Sequence, residues 1–429
     1  MHSLIAAALL LVVLALVVWR PRGLAVAWPA GVGAALAVAL GLLSVGALQT
    51  IFGDTWDAAA TLIALFLLSE TLDSNGFFTW AALRLARMAG GSGWRLYALS
   101  LLLTALVTAL LANDGAILML TPIFARLFLR IYPDQTSRLP FLLATGFFAD
   151  AMSALFVPSN LTNIIIADAN HLAFGSVFLW TVLPTLAAFA AGALAFGARF
   201  RAHLRKPYDC ALLDDARAAI RDRVVFWCGW VGLALLIVGY IIGGALHAPV
   251  SLVAGVVAIA MLALGRLRGL RSIGETFRTA PWSILIYALG MFVVITAAFD
   301  AHALAFLIHP LRAHVTSAAG PSGALFSGGL LALLSAAVNN LPAALIGVLA
   351  LRDTGHISAM AIYAILLGVD IGPKLTPYGS LATLLWMGIL ARNGIHISWR
   401  RYVVENWWIA LLTLGAAFLG LLASNALLG

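Results

Sequence analysis

The sequence predicts an all-α polytopic membrane protein, an inverted repeat of five spans in each half with two re-entrant hairpins and two broken helices. Three observations predict it. The 429 residues are 63% hydrophobic and only 10% charged, where soluble domains carry roughly a quarter charged. Largely apolar runs of about 18 residues or more recur along the chain, the length a helix needs to cross a bilayer. Four short polar breaks, Ala112–Ala116, Leu155–Thr162, Val338–Pro342 and Gly372–Ser380, interrupt apolar stretches.

The elements follow in order. Leu4–Val18 has no basic lead, and Trp19-Arg20-Pro21-Arg22 follows it instead of a small-residue cleavage site, so it reads as a retained span. The first half has spans at 3–19, 24–45, 55–73, 138–168 and 173–199. The second has them at 225–246, 249–266, 280–299, 358–390 and 404–427. Between the third and fourth span of each half lies an apolar segment with a polar centre. These are 95–130, broken at "ANDGA", and 318–352, broken at "NNLP". The segments 77–90 and 302–314 are too short and too polar on one face to span, and read as interfacial amphipathic helices.

Charge decides how the two central segments cross. With the breaks as hairpin tips and the N-terminus outside, 22 of the 25 Lys and Arg residues fall on the cytoplasmic side. Among them are Arg84, Arg87, Arg126, Arg130, Arg271, Arg278 and the basic residues of the 199–223 linker. Only Arg312 and Arg352 fall outside, and Lys374 lies within a span. This is a strong positive-inside pattern. It accounts for the net charge of +8 without a nucleic-acid partner. Both termini are expected on the periplasmic face.

The halves resemble one another. Trp56 and Trp282, and Asn113 and Asn339, are both 226 residues apart; Asp150 and Asp370 are 220 apart, each just before a Pro-containing break. An odd number of spans per half inverts the second copy. The division is 1–200 (first repeat), 201–224 (charged cytoplasmic linker) and 225–429 (second repeat). Inverted repeats with discontinuous helices mark secondary transporters.

Backbone breaks at membrane depth are tolerable only where they line a cavity or pack within protein. Each hairpin tip is expected to meet the broken helix of its own repeat, giving two half-sites. The first holds Asn113, Asp114, Gly115, Asp150, Ser159, Asn160 and Asn163. The second holds Asn339, Asn340, Asp370, Lys374, Thr376, Ser380 and Thr383. A charge at a helix centre costs about 2.5–3.5 kcal/mol on insertion scales, so these are functional candidates. Asp370 and Lys374, spaced i,i+4, are positioned to form an ion pair, either as a structural clasp or as part of a site. Asn339, Asn340 and Asp114 also read as helix caps. No cofactor or metal is expected. Cys210 and Cys228 flank the linker without ligand spacing, and no nucleophile–base set or His–Glu motif lies in the spans, which disfavours an intramembrane enzyme.

The motifs "DSNGFFTWAALRLAR", "ANDGAILMLTP", "PSNLTNI", "APWSILIYALGM", "NNLPAALIG" and, most specifically, "DIGPKLTPYGSLATLLW" resemble the arsenical pump membrane proteins, the ArsB family of the ion-transporter superfamily. The resemblance covers nearly the whole chain. It implies proton-driven export of trivalent arsenite and antimonite across the bacterial inner membrane. It also implies, as an option, association with the soluble ATPase subunit ArsA, although no docking motif for it stands out. Sodium-coupled relatives hold cations in the half-sites, and Lys374 is expected to fill the second of these positions. Tyr378 stands where isoleucine is common, which either narrows the site or fills space. The substrate suits the residues: a neutral trihydroxide needs hydrogen-bonding groups rather than a counter-charge. Asp114 and Asp150 are the first candidates for the proton, and Asp370 is next. The alternative is a sodium/proton antiporter or small-anion carrier of the same superfamily.

Overall fold

The computed structural model describes residues 2–246, 248–270, 273–352 and 354–428; Arg271 lies outside them. The first half comprises α1 (His2–Trp19), α2 (Ala27–Ala39), α3 (Val45–Ser74), α4 (Phe77–Met88), α5 (Gly93–Leu111), α6 (Asn113–Ile131), α7 (Gln135–Ala151), α8 (Leu161–Ala169) and α9 (Phe174–Arg199). The short α10 (Arg201–Leu204) opens the linker. The second half comprises α11 (Arg223–Ala245), α12 (Val250–Leu267), α13 (Ile273–Thr279), α14 (Trp282–Asp300), α15 (Ala305–Val315), α16 (Gly320–Val338), α17 (Asn340–Leu351), α18 (Ala359–Ile371), α19 (Leu381–Arg392) and α20 (Trp399–Leu428). Among the described residues the only β-pairing is one isolated bridge, Thr316 to Ile357.

The packing repeats with the halves exchanged. α3 packs on α12 as α14 packs on α2; α5 packs on α7 as α16 packs on α18. α6 meets α19 as α17 meets α8, and the last helices, α9 and α20, pack on each other. The fold is all-helical, with hairpins α5–α6 and α16–α17 and broken helices α7–α8 and α18–α19.

Nine helices among the described residues are long and apolar enough to cross a membrane, including the first arm of each hairpin, α5 and α16. The span expected at 24–45 is shorter: α2 has 13 residues, roughly 20 Å at 1.5 Å per residue. Gly41, at φ +65°, ends that segment, and the Ser44 hydroxyl then caps α3 by accepting from the Ala47 N–H at 3.1 Å. The expected interfacial segments form α4 and α15, and α4 buries Phe77, Phe78, Ala82, Leu83 and Ala86. Cys228 lies inside α11 rather than beside the linker.

The linker is pinned to the ends of the first-half helices. The Tyr208 N–H donates to the Gly91 carbonyl at 3.0 Å, the Lys206 ammonium to the Ser137 hydroxyl at 2.7 Å, and Arg87 to the Asp214 carbonyl at 3.0 Å. This holds the outer ends of the α5–α6 hairpin while its tip reaches into the protein.

Candidate functional site

Each hairpin tip turns on one non-glycine residue with left-handed φ. Ala112 has φ 63°, ψ 154° and Asn339 has φ 92°, ψ 152°. That region is nearly glycine-only and costs about 1–3 kcal/mol per residue, so the surroundings must fix it. The turn exposes the first N–H groups of α6 and α17, which begin at Asn113 and Asn340. Asn113 therefore corresponds to Asn340, an offset of 227, one more than the sequence match of Asn113 to Asn339.

The two breaks share a backbone. Phe156 (φ −130°, ψ 152°) matches Thr376 (φ −135°, ψ 154°), and Asn160 (φ −151°, ψ 141°) matches Ser380 (φ −138°, ψ 140°). Thr376 precedes Pro377, and a proline pushes the preceding residue out of the α region. The break ends at a cap in both halves. The Asn160 Oδ1 accepts from the Thr162 N–H at 3.3 Å, and the Ser380 hydroxyl accepts from the Ala382 N–H at 3.2 Å.

Equivalent bonds lock each break to its tip. The Ser159 hydroxyl donates to the Ala109 carbonyl at 2.8 Å, and the Thr376 hydroxyl to the Ala336 carbonyl at 2.6 Å. Both carbonyls lie three residues before the turn. Ser159 and Thr376 thus hold the frame. On the second side the Asn340 N–H donates to the Gly379 carbonyl at 2.8 Å. Asn339 donates to the Tyr378 carbonyl at 3.1 Å and accepts from the Tyr287 hydroxyl at 3.1 Å. The Tyr378 ring packs 5.9 Å from Trp399, so it fills space rather than narrowing the site.

The charges do not follow the expected half-sites. Lys374 does not pair with Asp370. Its ammonium lies 2.6 Å from Asp150 Oδ2, both side chains fully buried, an ion contact rather than an aligned hydrogen bond. It donates to the Thr383 hydroxyl at 2.7 Å. The i,i+4 expectation fails because α18 ends at Ile371 and Gly372–Leu375 tightens into a 3-10 turn, which swings Lys374 off the Asp370 face. The other Asp150 oxygen accepts from Asn113 Nδ2 at 2.8 Å. The ammonium expected at the second cation position therefore neutralises the carboxylate of the first half.

Asp370 is held across the halves as well. Its Oδ1 accepts from Asn160 Nδ2 at 2.9 Å and from the Thr162 hydroxyl at 3.2 Å. Its Oδ2 has no partner, and no cation pairs with Asp370 among the described residues. Ser153 ties the first break together: its hydroxyl donates to the Asp150 carbonyl at 2.7 Å and its own carbonyl accepts from Asn163 at 2.8 Å.

The tips and the N-termini of α8 and α19 converge on one small cavity. Asn113, Asp114, Asn160, Asn340 and Ser380 line it, and Ile284 and Tyr287 of α14 close it. About 20 Å³ is open to the centre of a water molecule, room for roughly one water. The exposed helix ends turn N–H groups into it, a setting that favours oxygen-rich ligands. Asp114 is the one carboxylate of its lining. The backbone N–H of Asp114 donates to Asn113 Oδ1 at 2.8 Å. Gly115 lets the tip approach α3, since a Cβ there would lie 3.3 Å from the Ser69 hydroxyl.

Of the expected residues, Asn113, Asp114, Asn160, Asn340 and Ser380 face the cavity, while Asp150, Asp370, Lys374 and Thr383 form the buried charge network behind it. Asn163, Ser159, Thr376 and Asn339 brace the breaks and tips. Tyr287, Thr162 and Ser153 lay outside the expectation. Only their polarity within apolar stretches could have signalled them, a feature they share with many ordinary helix residues.

A search of solved structures finds the YdaH transporter of Alcanivorax borkumensis, described as having an unusual topology. Its TM-score is 0.50 at 16% identity, and the match covers 99% of this chain and 98% of that one; at that identity the likeness concerns the fold. In sequence the chain is 38% identical to an arsenical pump membrane protein of Escherichia coli, over 97% of this chain and 99% of that protein. It is 29% identical to a putative arsenical pump membrane protein of Bacillus subtilis strain 168, over 92% and 93%. The family model described as arsenical pump membrane protein matches residues 5–424. With hairpin tips and broken helices meeting at one polar cavity, the chain belongs to the arsenical pump membrane protein family.

Proposed function

We propose that this chain exports trivalent arsenic and antimony, as their neutral trihydroxides, from the cytoplasm in exchange for protons by alternating access. The halves 1–200 and 225–429, joined by 201–224, act as inverted repeats in the inner membrane with both termini outside. The observation that carries the reading is the cavity between tips and helix N-termini, lined by amide and hydroxyl groups with Asp114 as its carboxylate. Three hydroxyls of a trihydroxide match Asn, Ser and carboxylate oxygens as acceptors, and its lone pairs match the exposed N–H groups.

Asp114 is the coupling group. In the inward-facing state it is ionised and accepts a hydrogen bond from the solute. In the outward-facing state a proton takes its place and the solute leaves. Competition for one carboxylate is sufficient for antiport. One proton in for one neutral solute out moves one net charge inward, so both the pH gradient and the membrane potential drive export. The cavity holds little more than a water, so loading requires the tips to separate from α14. Lys374 stands at Asp150 where a coupled metal cation would otherwise be needed, which argues for a sodium-independent cycle.

The test is arsenite uptake into everted membrane vesicles with an imposed acid-inside pH gradient. Uptake that collapses with a protonophore and is indifferent to sodium is expected. Uptake that needs sodium, with Lys374→Ala fully active, would contradict the reading.

A further inference from the structure

A second cavity lies at the far end of α8, away from the site. It is larger, with about 380 Å³ open to water-sized molecules. Asp57 and Trp56 of α3, Asp168 and His171 at the end of α8, and Tyr240 of α11 line it, with Val157 of the first break at its inner side. In the orientation proposed above this is the extracytoplasmic face.

The groups around this cavity differ in how they are satisfied. Asp57 is committed: its two oxygens accept from the Val250 and Ser251 N–H groups at 3.1 and 2.9 Å, capping α12. Asp54, also on α3, faces Arg352 from the end of α17 at 3.4 Å. The Asp168 carboxylate has neither a hydrogen bond nor an ion pair among the described residues. It sits in the last turn of α8, where the helix dipole disfavours an anion, near the acidic pair of α3. Independently, Tyr240 is 4% exposed, lines the same cavity and leaves its hydroxyl without a partner. A carboxylate that gains by taking a proton and an unpaired buried hydroxyl mark a wet proton-accepting site.

We propose that this cavity is the port through which the driving proton is taken up from outside, with Asp168 as its first acceptor. The inference rests on the proton-coupled reading above and deepens it. Asp168 and the Asn160–Thr162 pair that holds Asp370 stand at opposite ends of one nine-residue helix, α8. Val157 brings the cavity to within three residues of Asn160, which also lines the central cavity beside Asp114. Asp168 acts ahead of the central cavity and touches no solute there. Tyr240 orders water at the port. The charged and titratable groups facing Asp168 are Asp54 and Asp57 from α3, Arg352 from the end of α17, Tyr240 from α11 and its neighbour His171.

The test compares wild type, Asp168→Asn, Asp168→Glu and Tyr240→Phe in everted vesicles. Two quantities are read: initial arsenite uptake as lumenal pH is varied at fixed outer pH, and arsenite counterflow with no gradient, which needs no net proton movement. Asp168→Asn is expected to keep counterflow within about twofold, to lose about tenfold or more of gradient-driven uptake, and to show a flattened lumenal-pH profile. Asp168→Glu keeps the profile, and Tyr240→Phe shifts it less than Asp168→Asn does. A lumenal-pH profile of Asp168→Asn that matches wild type overturns the proposal, as does an equal loss of counterflow and driven uptake. If wild-type uptake itself ignores the gradient and the protonophore, the export reading fails first, and that outcome is separate from any result with Asp168.

Discussion

The two breaks carry the same backbone and different charges. Phe156 and Thr376, and Asn160 and Ser380, agree closely in φ and ψ, and Ser159 and Thr376 brace the equivalent tip carbonyls. Both halves also keep the aspartate before the break, Asp150 and Asp370. In charge, the tips and breaks differ at two positions. Lys374 has Ala154 as its counterpart, and Asp114 has Leu341. One half contributes an acid to the cavity, while the other contributes a base that crosses over to neutralise Asp150. The repeat supplies a symmetric frame, and one acid and one base break its symmetry in charge. The comparison also places the burial cost: Asp150 has a cation, whereas Asp370 has only an amide and a hydroxyl.

The largest expected effect tests that crossing. Lys374→Met leaves the Asp150 carboxylate buried with only the Asn113 amide and no cation, and breaking a buried pair from one side costs about 3–5 kcal/mol. The purified variant should show a sharply lowered thermal midpoint or fail to accumulate. Adding Asp150→Asn should restore most of the loss, because removing both charges is often close to neutral. If the double variant is as unstable as the single one, the pair is not what holds the halves together.

Next comes the packing difference behind the two breaks. α18 lies directly against the α16 backbone: a Cβ on Gly368 would sit 2.2 Å from the Gly328 carbonyl oxygen. The equivalent residue of the first half is Phe148, fully buried among Phe147, Phe189 and Phe196. Gly368→Ala should therefore destabilise by about 1–3 kcal/mol through overpacking, read as a lower thermal midpoint. An unchanged midpoint would mean that α16 and α18 slide freely past one another.

The smallest effect tests the symmetry itself. Ser159→Ala and Thr376→Val each remove one hydrogen bond from break to tip and should cost about 1 kcal/mol apiece. Equal shifts in the two variants are expected. A clearly larger loss for Ser159→Ala would show that the Asn340–Gly379 and Asn339–Tyr378 bonds brace the second tip strongly enough to break the symmetry.

Much of this frame was legible in the sequence. Pro, Gly and Asn inside apolar runs located both tips and both breaks, since few other features interrupt a membrane helix. Asn113, Asn160, Asp150 and Asp370 were found for the same reason. The pairing of Lys374 was not legible. Its i,i+4 spacing to Asp370 presumes a helix that the Gly372–Leu375 turn ends, and its actual partner comes from the other half. Tyr287 and Thr162 were missed because a single hydroxyl in an apolar segment gives no local sign of what it faces. The tip register was off by one because matching asparagines aligned Asn113 with Asn339, whereas the backbone turn sets Asn113 opposite Asn340. The length of α2 depended on a glycine turn that hydropathy alone does not weigh.

The central claim is that Asp114 exchanges the proton for the solute. It is tested most directly by recording lumenal pH with a trapped dye while arsenite is added to everted vesicles that start without a gradient. Wild type should alkalinise the lumen as arsenite is taken in. Asp114→Asn should give no pH signal, yet still exchange labelled for unlabelled arsenite. An Asp114→Asn variant that alkalinises the lumen as wild type does would contradict the account.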